Sequence, residues 1–413
     1  MCIRKILPAL IIFSAILFFN SCDNSVDPTF GSVSGKLYGY NHTAIENLKV
    51  TIQDRSVYTS ADGSFTLNGI SYPYDVIITD SVRRKATVYK KLSVNNIGLY
   101  FDQYSGSNYS AAIYVRIQGE SLPNDKKWKV IFTDRENVNE YAEVTGINPT
   151  AGLLLNMDKN IVSGRLIALS YKKDNNGKIT SYDNFGTYPL YNIQSGNTYN
   201  YWFDSLSLAF NPGEQTVTAS INVAAVPNST EFYLSFGTIN RPVNFGYTFS
   251  YLTGNYFNFK IPTDLPLPFS TVIINNTTLS SGFSYQEYNV FPNSNNDLIV
   301  NVPPIPLSPV EDAKNVNNET QFSFNSGSGK GVFEIILTNQ SRFSEYRIIT
   351  AENNFTLEGL DKLGFGSINN NIFEWRVTKK GPAATVNEYV TNYNNEQNHF
   401  YSEGNSRRFL TEP

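Results

Sequence analysis

The side chains that could carry chemistry are few in this sequence. Its 413 residues include two cysteines, Cys2 and Cys22, and two histidines, His42 and His399. Neither histidine lies in HExxH or any other metal-ligand spacing, and no Gly-x-Ser-x-Gly elbow occurs. A Ser–His hydrolase would have to recruit one of these two peripheral histidines. A carboxylate pair of the glycosidase type needs no motif and stays open. Two loops echo known sites. Asp174-Asn-Asn-Gly177 lacks the spaced carboxylates and late Glu of an EF-hand, and Asn176-Gly177 between strand-like runs reads as a hairpin turn. Ser326-Gly-Ser-Gly-Lys-Gly331 lacks the Ser or Thr after Lys330 and the following helix that a phosphate loop needs, so it reads as a flexible loop. What remains is aromatic: Tyr199, Tyr201 and Trp202. In a strand, Tyr199, Tyr201 and Phe203 share one face and Trp202 takes the other. One set belongs to a core; an exposed set would form a platform for stacking on a sugar. The expectation is ligand contact through these rings, with no catalytic residue, no metal and no cofactor.

The N-terminus carries a different chemistry. Arg4 and Lys5 precede 14 uncharged, almost wholly apolar residues, Ile6–Phe19. That run is too short to span a bilayer, which takes roughly 20 apolar residues, and it fits the apolar core of an export signal. Asn20, Ser21 and Cys22 follow at once. A small residue directly before a cysteine, at the end of such a run, resembles the lipobox of bacterial lipoproteins. Phe19 and Asn20 stand where that motif usually has Leu and a small residue, a departure tolerated in lipoproteins of the Bacteroidetes kind. The resemblance implies cleavage after Ser21, a diacylglycerol on the Cys22 sulfur and a lipid-anchored, envelope-facing protein. Asp23 and Asp27 weakly resemble acidic export tags that follow the lipid cysteine, which points to the outer membrane or cell surface.

Composition narrows the class. Charged residues are 16% of the chain, below the quarter usual in soluble domains, while aromatics reach 14%, which favours strands. The formal charge is −4 and no basic run occurs, so a nucleic-acid partner is not expected. With Cys2 lost in the signal and Cys22 committed to lipid, no thiol is left for a disulfide or a zinc site.

The positions that must hold any site are strands. Val33, Gly35 and Leu37 alternate with polar residues, as do Leu48, Val50 and Ile52; Asp62-Gly63 between Val57–Thr59 and Phe65–Leu67 signals a hairpin. Strand-like runs recur every 10 to 20 residues up to Val302, and no window holds a helical period. Pro303, Pro304, Pro306 and Pro309 mark a stiff boundary. The expected fold is all-β, a tandem row of immunoglobulin-like β-sandwiches: a signal over 1–21, a tether over 22–30, then sandwiches over 31–95, 96–204, 205–302 and 303–413. Such a row would extend as a stalk with its last module farthest from the membrane.

Two modules resemble known families. Gly31-Ser-Val-Ser-Gly35, Leu48-Lys-Val-Thr-Ile52 and Thr59-Ser-Ala-Asp-Gly-Ser-Phe65 resemble the carboxypeptidase regulatory-like domain, a seven-stranded sandwich without catalytic residues. Gln321–Phe324, Val332–Leu337, Tyr346–Ile349 and Phe373–Val377 resemble a bacterial surface fibronectin type III domain, with Phe324 where that family keeps Trp and Phe333 and Phe373 where Tyr is usual. Both imply spacer or binding modules. The sequence therefore points to a lipid-anchored, non-catalytic surface binding or adhesion protein whose partner is a glycan or an envelope protein. The alternative is a structural or assembly subunit of an envelope complex with no soluble ligand; a carboxylate-based glycoside hydrolase ranks below both.

Overall fold

A computed structural model describes residues 31–39, 43–102, 109–118, 126–133, 138–146, 148–157, 160–175, 177–208, 210–223, 229–236, 243–244, 247–248, 256–264, 271–289, 295–363, 369–391 and 400–413. The signal, Cys22, His42, Asn176 and His399 lie outside these residues. The protein is all-β, and its strands form tandem sandwiches.

The first module contains β1 (Gly31–Tyr38), β2 (Lys49–Ile52), β3 (Arg55–Tyr58), β4 (Ser64–Ile70), β5 (Tyr74–Asp80), β6 (Lys85–Leu92) and β7 (Asn96–Tyr100). One sheet has the order β4-β1-β7, with β1 parallel to β7; the other runs β3-β2-β5-β6. Period-two alternation sets the inside: Val33, Leu37, Val50, Ile52, Val76 and Ile78 are buried together. The Asp62-Gly63 turn forms as expected, with Gly63 at φ +75°, a left-handed conformation that favours glycine. Ile97 and Leu99 of β7 enter the same core, so this module runs past residue 95.

The second module repeats that plan. It comprises β8 (Tyr109–Ile117), β9 (Lys126–Thr133), β10 (Val138–Val144), β11 (Thr150–Met157), β12 (Ile161–Lys173), β13 (Ile179–Gln194) and β14 (Thr198–Phe203). Its sheets are β11-β8-β14, with β8 parallel to β14, and β10-β9-β12-β13. Strand for strand this is the order of the first module. The third module holds β15 (Gln215–Val223), β16 (Ser229–Phe236), β17 (Val243–Asn244), β18 (Tyr247–Thr248), β19 (Tyr256–Ile261), β20 (Thr271–Leu279), β21 (Gly282–Asn289) and β22 (Asn295–Val300). Its first strand again lies between an antiparallel partner, β19, and a parallel last strand, β22.

The last module differs. A sheet of β23 (Ile305–Ser308), β25 (Phe322–Asn325) and β28 (Asn354–Phe355) faces a second sheet. That second sheet is built from β26 (Val332–Asn339), β27 (Ser344–Thr350), β29 (Ile372–Gly381), β30 (Phe400–Gly404) and β31 (Arg407–Thr411), and the short β24 (Ala313–Val316) pairs with β31. Phe322, Phe324, Phe333, Tyr346, Phe373, Trp375 and Phe409 fill the space between the layers. Pro303, Pro304, Pro306 and Pro309 are buried, and Pro306 lies in β23, so the proline segment at the boundary is itself the first strand of the last module. The glycine-rich loop is pinned rather than flexible: Ser328 N donates to the Val302 carbonyl (3.0 Å) and Val302 N to Ser328 Oγ (2.7 Å).

The modules do not form a row. β6 pairs in parallel with β27, and β21 pairs antiparallel with β30, so one continuous sheet joins the first, last and third modules. Val332 and Ile349 of the last module, with Val386 and Val390 of its helix α1 (Val386–Thr391), complete the core of the first. Over the seam Arg347 reaches Asp102, Glu345 (2.8 Å) and Glu334 (3.2 Å), and Lys380 holds the second oxygen of Glu334 (2.7 Å). Burial alone would raise the Glu334 pKa; the Lys380 and Arg347 charges bring it below the ordinary value. The stalk expectation is thus corrected: the free edge of β6 is satisfied by β27, and the two end modules form one body.

Candidate functional site

The second module stands apart from that body. Among the described residues, its core draws only on those between Ala111 and Leu208. Contact with the third module runs through Tyr182, whose hydroxyl donates to the Lys260 carbonyl (3.1 Å) and whose N–H donates to Glu214 (2.6 Å).

Within this module the aromatic run lies on β14. Phe203 is buried, and Tyr199 and Tyr201 are partly buried against the core from the inner face. The Tyr199 hydroxyl accepts from Gln194 N (2.8 Å), and the Tyr201 ring packs on Tyr188 at 5.5 Å. Burial, then the neighbouring Tyr199 and Tyr188, raises the Tyr201 pKa. These two tyrosines are core and edge residues, not a platform. Trp202 points outward and is 55% exposed.

Trp202 is not alone there. On the outer face of β11-β8-β14 the ladder places Thr150, Arg116 and Trp202 in one row. Gly152, Tyr114 and Asn200 form the next row, and Leu154, Ala112 and Thr198 the third. Tyr114 is 47% exposed and Leu154 60%. A methyl group placed on Gly152 would meet Tyr114 Cε1 at 3.5 Å, so the ring lies toward the bare backbone of its neighbour. Trp202 and Tyr114 are diagonal neighbours, about 7–8 Å apart in an ideal ladder. Arg116 sits directly beside Trp202. It is exposed and makes no ion pair or hydrogen bond with a described residue. The face is an open aromatic surface rimmed by hydroxyl, amide and guanidinium groups.

The corresponding face of β4-β1-β7 in the first module presents Asn68 and Ser32, then Thr66, Ser34 and Asn96, then Ser64, Lys36 and Gly98, and ends on a half-buried tyrosine pair, Tyr38 opposite Tyr100. Polar side chains thus fill the rows that hold Leu154 and Tyr114 in the second module, while the row of Trp202 is aromatic in both. Tyr114, Arg116 and Leu154 are the residues that sequence reading missed. The signal was available: in Ala112–Ile117 the β-branched Ile113, Val115 and Ile117 alternate with Ala112, Tyr114 and Arg116.

The opposite sheet of this module carries a charged cluster with a structural role. Glu143 receives Lys127 (2.7 Å), Lys129 (3.3 Å) and the Tyr171 hydroxyl, and Lys173 lies 3.6 Å away. Burial works to raise the Glu143 pKa, but the Lys127 and Tyr171 hydrogen bonds and the charges of Lys129 and Lys173 lower it to about 2. The Asp174 carboxylate caps its own turn by accepting from Lys178 N (2.9 Å), as a hairpin requires. Among the described residues no group of three or more His, Cys, Asp or Glu is placed to hold a metal ion.

No family model matches the chain, and no curated protein is similar to it. Solved structures show a remote likeness. The Bacillus anthracis TIE protein is 11% identical over 66% of this chain, with a TM-score of 0.17, and this chain spans 50% of its length. Chicken CNTN1 FN1-FN3 domains are 10% identical over 71% of this chain and 91% of that one, with a TM-score of 0.17. The pilus adhesin SpaC from Lactobacillus rhamnosus GG, in its open conformation, is 9% identical over 87% of this chain and 52% of that one, with a TM-score of 0.14. Scores of this size say nothing about function.

Proposed function

We propose that the protein is a lipid-anchored component of the bacterial cell envelope, held at the outer membrane or cell surface through Cys22. There it acts as a non-catalytic binding or adhesion module whose ligand is a glycan. The first module serves as a carboxypeptidase regulatory-like spacer and the last as a fibronectin type III-like scaffold. The observation that carries the binding reading is the exposed Tyr114–Trp202 face, where the rings stand 47% and 55% exposed, set against the half-buried Tyr38–Tyr100 pair on the matching face of the first module. Aromatic rings bury large area and stack on the apolar faces of sugars, while the surrounding Thr150, Thr198 and Asn200 offer hydrogen bonds to hydroxyl groups. Function is assigned to this face rather than to the fold, since sandwiches of this kind host many roles.

The test is electrophoresis of the folded protein through gels containing a panel of polysaccharides. At least one polymer should retard the wild type, and the double variant Tyr114→Ala, Trp202→Ala should run freely. Retardation by no polymer, or equal retardation of the variant, overturns the glycan reading and favours an envelope-assembly subunit. Separately, Cys22→Ser should abolish labelling by a fatty-acid analogue and release the protein from membranes; continued labelling would remove the anchor from the proposal.

A further inference from the structure

Resting on the glycan reading, the geometry points to an anionic polysaccharide as the ligand: we propose that Arg116 selects acidic over neutral glycans on the Tyr114–Trp202 face. Among the outward positions of β11, β8 and β14, Arg116 is the only ionisable charge. The others are Ser110, Ala112, Tyr114, Thr150, Gly152, Leu154, Asn156, Thr198, Asn200 and Trp202, and none is a carboxylate.

No carboxylate stands in the β11-β8-β14 sheet, and Glu120, four residues beyond Arg116, lies outside the described residues. The closest acid along the chain to Trp202 is Asp204, and its carboxylate is committed to its own loop. There it accepts from Ser207 N (2.8 Å) and from Ser207 Oγ (2.8 Å). In the first module the cation on the outward face of β1, Lys36, is answered by Asp62 at 2.9 Å. In the second module the cation stands one row further on, at Arg116, and among the described residues no carboxylate answers it.

The placement fits a two-part contact. Arg116 is the cross-strand neighbour of Trp202, about 4.8 Å away in the ladder, and lies two residues along β8 from Tyr114. A sugar ring stacked on Trp202 holds its substituents over the guanidinium. That group is planar, always charged, and pairs two N–H donors with the two oxygens of a carboxylate; sulfate and phosphate esters offer the same pairing. Neutral hydroxyls satisfy it less well, and the difference is the source of selectivity.

The experiment compares matched polymers: polygalacturonate with its carboxyl-reduced neutral form, and dextran sulfate with dextran. Affinity is measured on the full mature chain at low and high salt. At low salt at least one acidic polymer should bind about tenfold more tightly than its neutral partner, as expected for one charge-assisted hydrogen-bonded pair, and salt should erode the difference. Which pair shows the preference tells carboxylate from sulfate. Arg116→Gln should abolish the preference, and Arg116→Lys should keep a weaker, salt-sensitive preference. If Trp202→Ala abolishes binding but Arg116→Gln leaves the acidic preference intact, the inference is wrong and the glycan reading stands. If neither substitution changes binding of any polymer, the glycan reading falls and takes this inference with it. Unchanged unfolding midpoints for the Arg116 variants keep misfolding out of the comparison.

Discussion

The first and second modules are two copies of one strand plan put to opposite uses. The first gives up an edge: β6 joins β27, its core borrows Val332, Ile349, Val386 and Val390, and Arg347 sits on Asp102 at the seam. The second keeps its core to itself and leaves its β11-β8-β14 face in water, furnished with Tyr114, Arg116 and Trp202. At the seam, apolar residues and charges are buried and partnered. On the open face, the Tyr114 and Trp202 rings stand about half exposed. Burial that stabilises and exposure that costs little stability mark the difference between a structural surface and a binding one.

The largest effect should come from separating the two modules from the rest. A fragment of residues 31–102 lacks the four borrowed side chains and leaves β6 with an unpaired edge, so it should show no cooperative unfolding in denaturant. A fragment of residues 109–208 carries its whole core and should unfold cooperatively with a β-type far-ultraviolet spectrum. A cooperative transition in the first fragment would mean that the shared core is incidental.

Next comes the charge at the seam. Arg347→Met leaves Glu334, whose side chain is 6% exposed, with Lys380 as its remaining cation. Removing one partner of a buried pair strands the other, so stability should fall by about 3 kcal/mol in urea unfolding. A loss below about 1 kcal/mol would show that the seam is held by apolar contact alone.

Much of this comparison was written in the sequence, but not all of it. Alternation fixed which residues of each strand turn inward, as with Val33 and Leu37, or Phe373, Trp375 and Val377, because a strand has only two faces. It also separated Trp202 from Tyr199 and Tyr201. Turn chemistry was legible at Asp62-Gly63 and at Asp174, where an acid and a glycine serve the backbone directly. Partner choice between modules was not legible. The β6–β27 pairing joins residues near 87 to residues near 347, and no local pattern encodes which edge meets which. The repetition of the strand plan was equally hidden, since backbone order can persist while most outward residues change. The Tyr114–Arg116 part of the face is hidden for a simpler reason: alternation separates the two faces of a strand but does not say which outward residues share a row with β14.

A smaller effect belongs to the second module and appears only in acid. Glu143 titrates near 2 in the folded chain, against an ordinary value of 4.5 when unfolded. A carboxylate whose folded pKa is depressed stabilises the fold fully above the unfolded value and loses that contribution as pH falls through the folded one. Urea midpoints of the 109–208 fragment should therefore drop between about pH 4.5 and pH 2. Glu143→Gln should be the less stable form at pH 7, and the gap should close toward pH 2. A gap that does not change with pH would mean that the Lys127, Lys129 and Tyr171 contacts add nothing.

The smallest effect is the one that defines the open face. Trp202→Ala removes a large side chain, and in a core such a change costs about 3–5 kcal/mol. Here the ring is 55% exposed, stands on the outer face of β14, and belongs to no buried cluster. The unfolding free energy should stay within about 0.5 kcal/mol of wild type, the usual range for surface substitutions away from packing or charge networks. The paired control is Trp375→Ala in the last module, where the ring is fully buried among Phe322, Phe355 and Val377, and where the full core penalty is expected. Both rings are tryptophans on strands of sandwiches, so residue type and secondary structure are held constant and only the side of the sheet differs. Equal losses would show that Trp202 packs against the fold, and the second module would then have no aromatic face to offer. A loss confined to Trp375, together with loss of polysaccharide retention confined to Trp202, would divide the two roles between the two surfaces.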